Sequence, residues 1–132
     1  MFSALERRQL LAVSREIEDR AYRVGTGTLH ACFQTLSTFE SQTDVYRSLA
    51  TETDLDIHIH GLADWSPPAI DGITYHGFPE DTFERYWVLA FDGGVDERQP
   101  CGLLAEDTAD GFSGFWTDDP ETVTEIATEL AG

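Results

Sequence analysis

The segment WVLAFDGG at residues 87–94 restricts the fold of this chain more than any other stretch. Its first five residues are all apolar, whereas a strand with one wet face alternates apolar and polar side chains. The two glycines that end the segment are typical of a turn that follows a strand. The segment therefore predicts a central β-strand that other elements cover on both faces.

Three other stretches are predicted to be helical. Ser3, with Glu6 three residues later, is a capping-box pattern, and apolar residues then recur at helical spacing over residues 4–22. A second helix is predicted at about residues 42–52, with Val45, Tyr46 and Leu49 on its inner side. Near the end of the chain, Asp119 is a predicted N-cap that precedes a proline and an amphipathic helix.

Alternation of apolar and polar residues predicts further strands in TGTLHACFQ, DIHIHG, ITYHGF, CGLLAED and FSGFWT. In the first of these, one face is expected to carry Leu29, Ala31 and Phe33, and the other His30, Cys32 and Gln34. A turn over residues 108–111 joins the last two strands, and a helical turn is predicted within PEDTFERYW.

These elements predict a single α+β domain over residues 1–132, in the order α-β-α-β-β-(α)-β-β-β-α. Its predicted centre is one mixed β-sheet of five to six strands with flanking helices. The strand–helix–strand unit in the first half predicts a right-handed parallel crossover. The closely spaced strands of the second half predict an antiparallel meander.

The charge restricts the function more than it restricts the fold. The chain has 25 acidic residues and eight basic residues, and its net charge is −17. All the basic residues are arginine. Such a surface repels itself in dilute buffer, and molar salt screens the repulsion. The composition therefore favours a halophilic protein, and it argues against direct binding of nucleic acid or an anionic membrane.

The sequence also indicates a cytoplasmic location. No apolar run is long enough to span a bilayer, and the N-terminal stretch MFSALERRQLL is charged where a signal peptide would be apolar. Cys32 and Cys101 are too few for a disulfide or zinc framework and are interpreted as reduced, small residues.

The first predicted helix differs in charge from everything after it. Residues 1–23 contain five arginines and four acids, whereas the rest of the chain contains three arginines and 21 acids. Ion pairs along the helix, such as Glu16 with Arg20, explain the pattern structurally. A helix of this kind can also face a partner.

The four histidines are the candidate metal ligands. His58 and His60, two residues apart on a predicted strand, project to the same face. His30 and His76 occupy the polar positions of their own predicted strands, so four imidazoles on one sheet face are an alternative site. Polar filling of the sheet face is the competing interpretation. The chain contains no G-x-S-x-G motif and no P-loop lysine that would indicate catalysis.

Several short segments, taken in order, resemble one protein family. They are SREIEDR, FQTLS, VYRSLA, HGLADWSPP, WVLAFDGG and GFWTDDPETV. Their succession resembles that of DICT domains, sensory domains named for diguanylate cyclases and two-component systems. The resemblance runs from about Leu5 to Leu130, and it implies a stand-alone member of a haloarchaeal type.

The resemblance implies a non-catalytic role in signal transduction, with no cofactor. The family's recurring positions correspond to Ser14, Arg15, Glu18, Asp19, Phe33, Gln34, Ser37, Tyr46, Trp65, Trp116 and Thr117. The expected partner is a small ligand or an unknown signalling or transcription regulator. The residues expected to bind it are Arg15, Glu18, Asp19, Gln34, Trp65 and Trp116. Charge reversal at Arg15 and Glu18 is expected to change partner binding without disturbing the fold.

Two alternatives remain open at this point. One is a metal sensor or metal-dependent enzyme that uses His30, His58, His60 and His76, although the family pattern has ordinary strand at the positions of His58 and His76. The other is a structural interaction domain that forms a homodimer through the first helix.

Overall fold

The computed structural model describes residues 2–78 and 85–131, with side chains from Leu5 onward. The strands are β1 (Phe2–Leu5), β2 (Thr26–Thr35), β3 (Asp54–Leu62), β4 (Ile73–Phe78), β5 (Tyr86–Phe91), β6 (Cys101–Thr108) and β7 (Gly111–Thr117). The helices are α1 (Arg7–Val24), α2 (Leu36–Phe39), a 3₁₀ turn (Glu40–Gln42), α3 (Thr43–Glu52) and α4 (Pro120–Ala131). The helical turn predicted within PEDTFERYW falls mostly on residues 79–84, outside the described residues.

The described strands form one mixed sheet of seven strands in the order β1-β7-β6-β5-β2-β3-β4. The α+β class and the single mixed sheet are confirmed, and β1 is the strand that the periodicity did not predict. β2, β3 and β4 run parallel to one another, whereas β5, β6 and β7 form the predicted antiparallel meander. β5 lies in the middle of the sheet, as its unbroken apolar run predicts.

The first helix begins later than the sequence indicates. Ser3 lies in β1, which pairs with β7, so it does not cap a helix. The N-cap is Glu6, whose backbone N–H donates to Gln9 Oε1 at 2.7 Å. Gly25 ends the helix in the left-handed conformation, and its N–H donates to the carbonyl oxygen of Ala21. The capping box therefore exists, but three residues beyond its predicted place.

The strand β2 departs from simple alternation at Gln34. This residue has a φ of 72°, and the pairing of β2 with β3 shifts register between Cys32 and Thr35. The bulge turns Gln34 to the same face as Phe33, where its side chain contacts α1. The prediction that Gln34 shares a face with His30 and Cys32 is therefore wrong, because a local backbone twist reverses the side-chain direction.

Helices cover the two faces of the sheet unequally. The larger core lies under α1, α2 and α3, and it includes Phe33, Tyr46 and Trp87. The smaller core lies under α4, whose Val123, Ile126 and Leu130 pack on Cys32, Val88 and Ala90. Asp119 caps α4 as predicted, accepting a hydrogen bond from the N–H of Thr122 at 3.1 Å. Since α4 covers the β5–β6 side of its face, the β3–β4 side of that face carries the histidines.

Candidate functional site

A buried polar network joins α1 to α3. Glu18 is 1% exposed, and its carboxylate accepts hydrogen bonds from Tyr46 Oη and from the guanidinium of Arg15. Arg15 also donates to the side-chain oxygen of Gln42. A charge that folding removes from water is costly unless partners compensate it, and here two side chains, Tyr46 and Arg15, contact the carboxylate directly. We call these four residues (Arg15, Glu18, Gln42 and Tyr46) the α1–α3 network.

Burial controls the electrostatics of this network. It raises the pKa of Glu18, and the Tyr46 hydroxyl and the Arg15 guanidinium partly offset that rise. The pKa of Tyr46 lies well above its usual value for the same reason, burial, with the Glu18 carboxylate adding to the effect. An arginine in place of Glu18 would be a buried, unpaired charge. The expectation that this position tolerates charge reversal is therefore wrong.

Two further charged residues of α1, Asp19 and Arg20, lie outside the network. Asp19 is exposed, so its carboxylate is available to a partner. Arg20 Nη1 lies 3.0 Å from Asp118 Oδ1, which ties α1 to the end of β7. Arg20 thus pairs across the fold, and the ion pair predicted with Glu16 along the helix is replaced by this longer-range contact.

Gln34 is part of a second polar contact, near the start of α1. Its side-chain oxygen accepts from Arg7 Nη2 at 3.2 Å, and its amide nitrogen donates to Asp107 Oδ2 at 3.2 Å. The Arg7 guanidinium carbon also lies 5.6 Å from the centroid of the Trp87 ring, within the range of a cation–π contact. Gln34 therefore fixes the N-terminal end of α1 on the sheet.

Trp65 and Trp116 lie far apart in the strand order. Trp65 belongs to the loop between β3 and β4 and packs, half-buried, against the larger core. Trp116 lies on β7, near the opposite edge of the sheet, and is 60% exposed. The two tryptophans therefore cannot line one pocket.

Trp116 borders a cavity of about 270 Å³ along the side of α1 that faces β6 and β7. Its walls combine apolar and charged side chains of α1 with the strand ends, and they are Val13, Glu16, Ile17, Arg20, Cys101, Gly102, Trp116, Thr117 and Asp118. Burial raises the pKa of the Cys101 thiol to about 11, so this thiol stays protonated and unreactive. The cavity offers an aromatic wall and an ion pair at its rim.

The predicted binding residues thus fall into four places. Arg15 and Glu18 come together in the α1–α3 network, and the neighbouring Asp19 lies exposed on the same helix. Gln34, Trp65 and Trp116 each lie elsewhere. The sequence-based reasoning did not identify Gln42, whose role depends on how the 3₁₀ turn before α3 packs against α1. The placement of Tyr46 on the inner side of the second helix was predicted, and this is the signal from which its contact with Glu18 could have been found.

The four histidines form a compact array on the sheet face that carries α4. β2, β3 and β4 are adjacent, and the register pairs His30 with His58 and His60 with His76. His30 Nδ1 lies 2.9 Å from His60 Nε2, and the same distance separates His58 Nδ1 from His76 Nε2. Neighbouring ring centroids are 4.6–5.2 Å apart. We call these four side chains the histidine array.

Hydrogen bonding assigns tautomers in the array. His60 Nδ1 is buried, and it has no hydrogen-bond partner among the residues that the structure describes. A buried lone pair without a partner costs less free energy than a buried N–H without a partner. His60 therefore carries its hydrogen on Nε2 and donates to His30 Nδ1. His58 Nε2 lies 3.0 Å from Asp56 Oδ2 and donates to it. In the neutral array, His58 Nδ1 then accepts from His76.

Burial lowers the pKa of His60 to about 3, and the neighbouring imidazoles add to this effect. The pKa values of His30 and His76 are lowered too, again mainly by burial. At neutral pH, these three rings are uncharged. His30 and His60 share an N–H···N bond, and His60 stacks on His76, which in turn bonds to His58. Across residues 2–78 and 85–131, no three His, Cys, Asp or Glu side chains are arranged to hold a metal ion.

Comparison with protein families finds one match. A family described as "Sensory domain in DIguanylate Cyclases and Two-component system", DICT, matches residues 2–108. The matched region contains the α1–α3 network and the histidine array, whereas β7, with Trp116, and α4 follow it. Neither the curated proteins nor the solved structures contain a match to the chain.

The helices add one further finding. Within the described ranges, each helix is too short or too polar to cross a lipid bilayer.

The family match covers most of the chain, from the first strand to the end of β6. Apart from β1, the element order and the single mixed sheet agree with the fold that the sequence patterns predict. The chain belongs to the DICT family of sensory domains.

Proposed function

We propose that this protein is a non-catalytic input module of signal transduction, in which a small ligand or a protein partner biases the position of α1. Membership of a sensory family supports the signalling role. The acidic, lysine-free composition supports a halophilic cytoplasm as its location, and the two free, buried cysteines agree with a reducing compartment.

The position of α1 is the observation on which this proposal rests. On one side, the α1–α3 network holds the helix through a buried carboxylate. On the other side, the helix borders the cavity beside Trp116. Hydrogen bonds and ion pairs break and re-form at discrete positions, so a helix held in this way is suited to two arrangements. A ligand in the cavity would contact α1, the same helix that the α1–α3 network holds in place.

The walls of the cavity indicate the chemistry of the ligand. Val13 and Ile17 provide an apolar floor, and the Trp116 ring provides a planar surface. Arg20 pairs with Asp118 at the rim, so Glu16 leaves the rim with a net negative charge, and the net charge of −17 on the chain repels anions. A small, neutral or cationic molecule with a planar apolar part fits these walls best. The volume, about 270 Å³, limits it to a compact molecule.

The proposed mechanism is a population shift. A ligand that fills the cavity in only one of two positions of α1 stabilises that position by its difference in affinity. The exposed surface of α1, which includes Asp19 and Tyr22, then presents the change to a signalling or transcription regulator. No step of this mechanism makes or breaks a covalent bond.

Replacement of Trp116 by alanine tests this placement. We expect protein purified natively in molar salt to release a small molecule on denaturation, and the variant to retain about tenfold less, since it loses the planar wall. Mass spectrometry of the released fraction measures both amounts. Val95→Ala, an exposed change on the loop between β5 and β6, is the matched control and should retain the molecule as the wild type does. Equal retention by Trp116→Ala would contradict the assignment of the site.

A further inference from the structure

We propose that the histidine array is a proton-binding switch, which stays closed while its imidazoles are neutral and opens when it takes up protons. The array is separate from the cavity beside Trp116 and lies on the opposite face of the sheet. All four histidines of the chain belong to it. Imidazole titration in this protein therefore reports on the array alone.

The closed pair His30–His60 has no position for an additional proton. In the neutral pair, His60 donates through Nε2–H, and no described residue is a hydrogen-bond partner of its buried Nδ1. A proton that reaches His30 places an N–H on both of its nitrogens, so two N–H groups face each other. Transfer of the His60 hydrogen to Nδ1 removes that clash, but it leaves a buried N–H without an acceptor. Protonation and the closed geometry are therefore incompatible.

Few groups near the array compensate for a positive charge. Among the described residues, Asp56 accepts from His58, and Asp92 acts on His30 across β5. Asp92 Oδ1 already accepts from the backbone N–H groups of Thr28 and Gly94. The other neighbours are uncharged, namely Thr28, Cys32, Thr74, Phe78, Ala90, Thr124, Ala127 and Thr128. Within residues 5–78 and 85–131, two carboxylates therefore face four imidazoles, and the buried pair has no direct carboxylate contact.

The position of the array in the sheet determines which strands and helices would loosen when the array opens. His76 lies on β4, an edge strand that pairs with β3 alone among the described strands. Two charged rings 4.6 Å apart, as His60 and His76 would be, repel each other across that pair of strands. His30 also borders α4, at the cavity lined by Ala127 and Ala131. Acidification is thus expected to loosen β4 first, and next the C-terminal half of α4.

The sign of the pH dependence follows from the lowered pKa values. An unfolded histidine titrates near its ordinary pKa of 6.5, whereas His60 in the fold titrates at about 3. Between these two values, the unfolded chain binds more protons than the folded chain, so acid favours opening. The contribution of His60 to stability is complete above about pH 6.5 and is lost as the pH falls towards 3.

Amide hydrogen exchange in molar salt tests the proposal at two pH values, about 7.5 and about 5. After correction for intrinsic exchange rates, acidification should speed exchange in β4 by about tenfold or more, with little change in β6. In His60→Phe, which removes the blocked pair and keeps a ring beside Phe78, the acceleration should fall below about twofold. Glu129→Gln, an exposed change on α4 away from the array, should behave as the wild type does.

Either of two results would overturn the proposal. One is β4 exchange that does not respond to pH in the wild type, and the other is an unchanged acceleration in His60→Phe. Should His60→Phe fail to fold, His30→Gln takes its place with the same expectation. Imidazole NMR of the wild type provides a second readout, in which His60 should carry its hydrogen on Nε2 at neutral pH. A hydrogen on Nδ1 would refute the blocked pair.

Discussion

Replacement of Glu18 by alanine is expected to lower the free energy of unfolding by about 3–5 kcal/mol. The substitution leaves the buried Tyr46 hydroxyl without its acceptor and takes from Arg15 the carboxylate that pairs with it. It also leaves a cavity between α1 and α3. Urea unfolding in molar salt, followed by circular dichroism, measures the loss.

Two control variants separate the network from a general effect of charge. Glu16→Ala removes an exposed carboxylate from the same helix, and we expect a change of about 0.5 kcal/mol or less. Glu18→Gln keeps an acceptor for Tyr46, so its cost should lie between the other two. A loss below about 1 kcal/mol in Glu18→Ala would mean that the network does not hold α1.

Truncation of Trp87 to alanine should be similarly costly, at about 3–5 kcal/mol. Trp87 is 1% exposed, and its ring meets Phe33 and Phe112 edge to face. Its Nε1–H donates to Ser14 Oγ at 2.9 Å, which ties β5 to α1. The variant therefore loses both core packing and the second attachment of the helix, and the same unfolding experiment measures its effect.

Trp87→Phe is the matched control for this prediction. It keeps an aromatic ring between Phe33 and Phe112 but lacks the hydrogen bond to Ser14. We expect it to lose clearly less stability than the alanine variant, because the hydrogen bond contributes about 1 kcal/mol. Equal losses in the two variants would contradict the packing argument.

Much of the fold follows from local patterns. The unbroken apolar run of β5 predicted its central position, and the capping residues of α4 predicted where that helix begins. The β2–α3–β3 unit and the antiparallel meander were predictable because short connections leave few topologies. These features depend on residues that are close in the sequence.

Features that depend on distant partners were not predictable. β1 forms because it pairs with the edge of β7. Four residues are too few for their periodicity to predict a strand. The reversal at Gln34 is a backbone twist that the alternation of TGTLHACFQ does not reveal. In the candidate site, the charge pattern and the resemblance indicated Arg15 and Glu18. Their partner Gln42 lies on another element, so its contact depends on packing between helices.

The histidines illustrate the same limit. Alternation predicted that His58 and His60 share a face, and the structure confirms it. The array also needs the registers of His30 with His58 and of His60 with His76, which three strands fix together. The sequence therefore indicated side chains of a type that binds metal ions. In the structure, these imidazoles instead hydrogen-bond to one another.

Hydrogen exchange along α1 tests the central claim, that this helix carries the signal. Natively purified protein would be compared with the same protein after its small molecules have been removed, both in molar salt. We expect removal to change amide exchange in α1 by about tenfold while exchange in α4 stays constant, since the cavity and the α1–α3 network act on one helix. Identical exchange in α1 in the two samples, with a molecule demonstrably removed, would contradict the account.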